Sequence, residues 1–267
     1  SLSPSYNLGL LWEPTDDFSF GMVYQSEAKM RLRGKYLINV AEAPQQLIAG
    51  LNSSATGQIL AAILGFPSYA PAVESGLVAM DFKYPQHFKA GIKYKIFPDL
   101  QVNFDLGWTD FSAWDKFKFE FDRQISLLKV AKLLSNDVTD RSLSLPLKFQ
   151  SSWRWGLGIE YSATDRLKLR MGYEPRTSSI PDDKRNTMVP INNAQLFGLG
   201  VGYRFDQDTD LDLTVGFLRS RDDIPEGTSS LSNKKGVDNL LLNPYAGLDV
   251  KTNTKVTLLG INYRTRW

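Results

Sequence analysis

The sequence predicts an all-β chain folded as an antiparallel transmembrane β-barrel, on three observations. Apolar and polar residues alternate with period two over nine long segments, the repeat of extended strands. The connections between those segments alternate between tight turns and long loops. The two faces of each segment also differ in kind. One is aliphatic with aromatic residues toward its ends, and the other carries Arg, Lys, Asp, Asn and Gly. A soluble antiparallel barrel or sandwich alternates as well, with its apolar face inward. Charge on one face of nearly every segment, with Trp and Tyr at the ends of the other, favours the membrane.

Taken in order, the segments span 4–13, 18–33, 81–96, 100–111, 147–161, 166–175, 195–205, 210–220 and 248–266. In the second, Phe18, Phe20, Met22 and Tyr24 alternate with Ser19, Gly21 and Val23. In the third, Phe88, Ala90, Ile92, Tyr94 and Ile96 oppose Lys89, Gly91, Lys93 and Lys95; in the fourth, Val102, Phe104, Leu106 and Trp108 oppose Asn103, Asp105, Gly107 and Thr109. Trp153, Trp155, Leu157, Ile159 and Tyr161 share one face of the fifth, and Leu167, Leu169, Met171 and Tyr173 one face of the sixth. Phe197, Leu199, Val201, Tyr203 and Phe205 follow in the seventh, then Leu211, Leu213, Val215 and Phe217 in the eighth. The last places Leu259, Ile261, Tyr263, Thr265 and Trp267 on one side, a strand closing on an aromatic. Tight turns are expected at Pro14–Asp17, Phe97–Asp99, Ser162–Asp165 and Asp206–Thr209, and long loops over 34–80, 112–146, 176–194 and 221–247.

Composition removes other classes. The chain has 267 residues, 42% apolar and 22% charged, with 31 basic against 29 acidic residues. A net charge of +2 offers no polycationic surface for nucleic acid. With no cysteine and one histidine, His87, there is little material for a metal centre or a nucleophile–base pair. No cofactor and no catalytic residue is therefore expected. His87 is expected beside Pro85 at the base of a strand near the lipid boundary. The apolar run Ile59–Phe66 is too short to be a membrane-spanning helix. GLGVGY (Gly198–Tyr203) lies within strand alternation and opens no helix, so it is not a nucleotide loop.

Parity adds an expectation about the whole barrel. Bacterial outer-membrane barrels close with an even number of strands, tight turns on the periplasmic side. Nine is odd, so an odd number of strands is expected ahead of Ser1; that the last strand closes on an aromatic, similar to the assembly signal of outer-membrane barrels, implies Trp267 as the natural C-terminus.

Several stretches together resemble the long-chain fatty acid transporter family of Gram-negative outer membranes, the FadL/TodX hydrocarbon-uptake channels. They are YNLGLLWEPTDDFSFGMVYQSEAKMRLRGKY from Tyr6, the proline-led strand–turn–strand of Pro85–Phe119, and LRMGYEP (Leu169–Pro175). To these add Ser179-Ile180-Pro181-Asp182, Met188-Val189-Pro190 and GLGVGYRF from Gly198. The cluster Phe111-Ser112-Ala113-Trp114-Asp115-Lys116-Phe117 departs slightly from the family pattern. The resemblance implies a 14-stranded barrel with an N-terminal hatch, of which five strands and the hatch precede Ser1. It further implies passive transport of long-chain fatty acids or similar hydrophobic compounds across the bacterial outer membrane. The implied partners are fatty acids, hydrocarbons or detergent-like lipids and the lipids of the outer membrane, and the implied state is a monomer. The final aromatic is similar to the signal read by the barrel assembly machinery.

Two loops carry the candidate binding residues. Residues 44–66 read as a helical piece broken near Asn52-Ser53. Its apolar residues either pack loop against loop or line an apolar entry groove, for which Leu60, Ile63, Leu64, Phe66 and Tyr69 are the candidates. A second amphipathic helix over 125–134 would supply the opposite wall through Leu128 and Leu133. Arg123 and Lys129 are candidates for a carboxylate headgroup. Arg154, Lys168, Arg170 and Arg204 are expected inside, where mutual ion pairing accounts for each. An adhesin or receptor barrel with functional loops is the alternative, and the apolar character of these loops argues against it. A barrel lipase or protease would have to use His87 as its base. A hydrophilic porin does not fit the greasy loop helices.

Overall fold

The computed structural model describes residues 3–187, 189, 192–235 and 243–266. Two of the sequence features, Trp267 and the Met188/Pro190 pair, lie outside the described residues. The strands are β1 (Asn7–Thr15), β2 (Phe18–Gln25), β3 (Ala28–Asn39), β4 (Val73–Tyr84), β5 (His87–Phe97), β6 (Leu100–Thr109), β7 (Phe117–Phe121), β8 (Val138–Thr139) and β9 (Ser142–Leu145). They continue with β10 (Ser152–Ser162), β11 (Leu167–Arg176), β12 (Ala194–Arg204), β13 (Thr209–Ile224) and β14 (Val250–Thr265). Helices α1 (Glu42–Asn52) and α2 (Ala55–Leu64) follow β3, and α3 (Ser126–Ala131) follows β7.

Nine strands form one sheet in the order β1-β2-β5-β6-β10-β11-β12-β13-β14, every neighbouring pair antiparallel. The four tight turns lie at one end of this sheet and the long connections at the other. The alternation read from the sequence holds. Along β10 the residues Trp153, Trp155, Leu157 and Tyr161 are exposed, while Arg154, Gly156, Gly158 and Glu160 between them are partly covered. Registers carry the same face across the sheet, as in Ile159↔Met171↔Leu199↔Val215↔Leu259. On that outer face Leu259 is 82% exposed, which suits a residue whose solvent is lipid.

Two expected strands are each divided. The segment 18–33 breaks at Ser26-Glu27 and the segment 81–96 at Pro85-Gln86. Proline has no N–H to continue a ladder. At the other break both the backbone N–H and the side chain of Ser26 are used by Tyr6, through Ser26 N–H to Tyr6 O (3.0 Å) and Tyr6 N–H to Ser26 Oγ (3.0 Å). Beyond these breaks the chain enters a second sheet of five strands, β3-β4-β7-β9-β8, at the long-loop end. The fifth segment also starts late, at Ser152 rather than at 147. Lys148 has a left-handed backbone (φ 53°) that interrupts the strand, and Leu147 and Phe149 on either side of it are buried with Ile180 and Leu231. The helix expected over 125–134 is shorter, Ser126–Ala131.

The five-stranded sheet has a core of its own: Ile125, Leu128, Ala131 and Val138, flanked by Tyr36, Ile38, Phe121, Leu127 and Leu143. Helices α1 and α2 meet at a bend of 117°, as the break at Asn52-Ser53 predicts. Ser54 caps α2 by accepting from Gly57 N–H (3.1 Å), and Gly65, with φ 69°, ends it in the left-handed conformation.

Candidate functional site

Three tiers follow one another from the loop end to the turn end. Outermost is the α1–α2 hairpin. It buries Ile48 and Ala61 and leaves Leu47, Ile59, Leu60, Ile63 and Tyr69 exposed, Ile63 by 74%. Leu64 and Phe66 are half-buried. Helix α2 ends beside α3's C-terminus, since a methyl group on Gly65 would stand 3.4 Å from Lys132 Nζ. That ammonium also pairs with Asp140 (2.6 Å). Of the opposite-wall candidates, Leu133 is exposed, whereas Leu128 is 8% exposed and belongs to the core of the five-stranded sheet. Arg123 reaches its neighbour Asp122 (3.4 Å), and Lys129 is half-buried on α3.

Below, where the two sheets join, is a pocket of about 480 Å³. Tyr84, Phe111, Trp114 and Leu218 supply apolar lining, Lys89, Arg154 and Arg176 supply cations, and the His87 imidazole stands beside them. A volume in this range suits a small amphiphile. Arg154 Nη1 pairs with Glu174 Oε1 (3.0 Å), and Arg176 Nε donates to the same oxygen (2.5 Å). Lys89 has no ion-pair partner among the described residues. His87 therefore faces inward at the loop end, on the opposite side of the strand from Phe88, and not at the lipid boundary. Sequence reasoning did not place this pocket. The available signal was Lys89, His87 and Arg154 on the polar phase of their strands, beside a proline break.

The third tier is a trough of about 470 Å³ along the inner face of β10–β14. Its floor is a row of glycines in direct register, Gly158↔Gly172↔Gly198↔Gly216. A Cβ on Gly198 would meet nothing within 4 Å, and on the other three nothing nearer than 3.5 Å, so packing within the chain does not require these glycines. They leave open space, bordered by Leu196 and Leu258. Elsewhere on this face glycine makes room for a neighbour's charge: a Cβ on Gly107 would come within 2.8 Å of Arg154 Nε, and on Gly202 within 2.7 Å of Asp212 Oδ1. Leu196, Leu218, Val256 and Leu258 lie on the phase expected to be polar, so the inner face is more apolar than the alternation suggests.

Toward the turn end, the inner face becomes a ladder of ion pairs. Glu160 takes Lys168 (2.6 Å) and Arg170 (2.6 Å), Arg170 also reaches Asp212 (2.5 Å), and Arg204 reaches Asp210 (3.2 Å). All four expected inner cations are thus paired. Among the described residues no group of three His, Asp or Glu could hold a metal ion.

Known proteins match this arrangement. The family of outer membrane protein transport proteins (OMPP1/FadL/TodX) matches residues 1–267. A long-chain fatty acid transport protein of Escherichia coli O6:H1 is 19% identical over 217 residues, 81% of this chain and 42% of the relative. A 47 kDa outer membrane protein of Pasteurella multocida is 24% identical, covering 97% of this chain and 50% of its own. Among solved structures, a Pseudomonas aeruginosa FadL homologue superposes with a TM-score of 0.63 at 16% identity, over 98% of this chain and 51% of that one. The Ralstonia pickettii toluene transporter TbuX gives 0.59 at 16% identity, over 98% and 47%. The chain spans about half the length of the relatives it matches. The shared fold is the antiparallel β-barrel of these channels, and the family's members are transport channels, not enzymes. This chain belongs to the OMPP1/FadL/TodX family of outer membrane transport proteins.

Proposed function

We propose that the protein passes long-chain fatty acids or similar hydrophobic compounds across the outer membrane by passive diffusion. Capture would occur on Leu60, Ile63, Leu64, Phe66 and Tyr69 of the α1–α2 hairpin, with Leu133 beyond the end of α3. Burial of each CH₂ group stabilises such a complex by about 0.8 kcal/mol. The compound then passes through the pocket at the sheet junction into the glycine-floored trough. Arg123 and Lys129, on the outside, remain candidates for a headgroup at the first contact. The observation that carries the reading is the pocket itself, where Tyr84, Phe111, Trp114 and Leu218 surround an ammonium, Lys89, that has no acid to pair with among the described residues.

The nine-stranded sheet is proposed to be the C-terminal part of a 14-stranded barrel. Strands β1 and β14 are its edges, and both run toward the tight-turn end. Joining them directly would make one parallel pair in an otherwise antiparallel sheet, whereas an odd number of intervening strands keeps every pair antiparallel.

Binding of radiolabelled oleate and of toluene to the full-length protein tests the transport reading. Saturable oleate binding is expected, weakened about three- to tenfold by Lys89→Ala, with toluene unaffected. Absence of saturable binding of either compound would refute it. Equal oleate binding by both proteins would assign the pocket to neutral hydrocarbons.

A further inference from the structure

The lipid-facing side of the sheet changes chemistry abruptly at its loop end. The outward residues of β13 are Leu211, Leu213, Val215 and Phe217, and the next two are Arg219 and Arg221, both exposed. Register sets Arg219 between Gln195 of β12 and Lys255 of β14, with Arg221 opposite Asn253. One step further, Asp223 pairs with Lys251 (3.6 Å). Four cations thus stand against a single acid. On the inner face of the same strands the cations are matched by acids, as in Arg170–Asp212 and Arg204–Asp210. Arg219, Arg221 and Lys255 have no ion-pair partner among the described residues.

Arg219 and Arg221 border a groove of about 570 Å³ whose lining also includes Leu106, Trp153, Trp155 and Pro175, with Arg154 and Arg176 reaching it from the inner side, and Lys255 stands next to Arg219 across the strand pair. The floor is rigid and aromatic: Trp155 stacks on Phe104 (6.4 Å) and meets Tyr173 edge-on (5.9 Å). An unpaired arginine pair at the upper boundary of an apolar band calls for an anion that arrives with hydrocarbon attached. Guanidinium forks bind phosphate bidentately, and they do so more strongly at a low-dielectric boundary than in open water. The loop end of an outer-membrane barrel faces the external leaflet, where the anionic lipids are phosphorylated, multiply acylated glycolipids.

We propose that Arg219, Arg221 and Lys255, with the groove over Trp153 and Trp155, form a seat for a phosphorylated glycolipid of the outer leaflet. Its phosphates lie on the two guanidinium groups and the Lys255 ammonium. Its acyl chains run down the apolar face past Trp155 and Phe217. The groove adjoins the junction pocket, with which it shares Trp153, Arg154, Arg176, Thr177 and Ala194, but Arg219, Arg221 and Lys255 line neither that pocket nor the trough.

Native mass spectrometry of the detergent-solubilised full-length protein, titrated with bisphosphorylated lipid A, tests the seat. A one-to-one adduct is expected, about tenfold or more tighter than with the same lipid stripped of its phosphates. The double variant R219A/R221A should lose that preference, and R219K/R221K, which keeps the charge without the fork, should retain part of it. Oleate binding should be unchanged in both variants. Equal binding of phosphorylated and dephosphorylated lipid A by the unaltered protein would overturn the proposal, a comparison that needs no variant to fold. Phosphatidylglycerol binding as tightly as lipid A, or an unchanged preference in folded R219A/R221A, would overturn it as well.

Discussion

The two sheets of this molecule obey opposite rules with the same residue types. Under α3, the five-stranded sheet keeps a core in which apolar side chains bury one another: Ile125 is fully covered and Leu128 nearly so, while Leu37 and Leu77 on β3 and β4 stay exposed. In the nine-stranded sheet most leucines, valines and aromatics point out and most charges point in, with Leu196, Leu218, Val256 and Leu258 inside and Arg219, Arg221 and Lys255 outside at the loop end as the exceptions. Both patterns follow from one principle, that apolar surface avoids water. What differs is where water is. The five-stranded sheet keeps a local dry core against α3. The nine-stranded sheet has hydrocarbon outside and a hydrated face inside, so its ion-pair ladder from Lys168 to Asp212 sits where a soluble protein would place its core. Pro85 and Ser26 mark the boundary, because the ladders of the membrane sheet stop there.

That contrast can be broken most strongly in the five-stranded sheet. Leu128→Ala removes a buried side chain from a small core and should cost that unit about 2–5 kcal/mol. Because the core is separate, the damage should stay local. Trypsin should cut the loop at Lys129 or Lys132 far faster than in the unaltered protein, while the heat-dependent gel shift of the membrane sheet stays in place. Loss of both together would mean that the two sheets fold as one unit.

The complementary change belongs to the other rule. Leu199→Arg, in the middle of the outward face of β12, should cost about 2–4 kcal/mol measured by unfolding from bilayers. A leucine on a water-exposed surface would tolerate arginine with little loss. Thr214→Arg is the control: it stands on the inner face of the adjoining strand, where charge is ordinary. Similar losses from both changes would deny that the sheet's two faces meet different solvents.

Much of this division was legible in the residues. Nine period-two segments became the nine strands of the membrane sheet, and the four tight turns fell where Pro, Asp and Asn-like punctuation put them. The two helices in 44–66 and their break were also readable, since helical spacing and a Ser-Ala start need only local chemistry. The five-stranded sheet was not. Its strands β3 and β4 continue the alternation of β2 and β5, and a period says nothing about which solvent lies outside. Likewise Leu128 reads as one more apolar residue of an amphipathic helix; only the folded β7–β9 region decides that its apolar face is covered. The pocket was hidden for a related reason. His87, Lys89, Arg154 and Arg176 come from three strands, and Trp114 from the intervening loop, so no spacing in the chain announces them. Leu196, Leu218 and Leu258 were similarly hidden, as single apolar residues on a polar phase.

The finest test concerns the seam itself. Asp110 stands just past β6, where it accepts from Gln86 Nε2 (2.9 Å) and Ser151 Oγ (3.0 Å) and from the hydroxyl of Ser112. It thereby ties the Pro85 break to the start of β10. Burial acts to raise its carboxyl pKa, but the hydrogen bonds from Ser112, Gln86 and Ser151 outweigh it and leave the group below the usual aspartate range. A carboxyl depressed on folding stabilises the folded form above its unfolded pKa, and that contribution disappears as pH falls through the folded value. The junction should therefore loosen only in strong acid, below about pH 4. Asp110→Asn keeps the shape and removes the titration, so its melting temperature should fall less than that of the unaltered protein between neutral pH and about pH 2. Parallel curves for the two proteins would show that the seam is held by contacts other than this carboxylate, such as Asp110 N–H to Gln86 O (3.0 Å) and Trp114 Nε1 to Lys83 O (2.7 Å). A gap that opens only in acid would show that this one carboxylate couples the nine-stranded sheet to the five-stranded one.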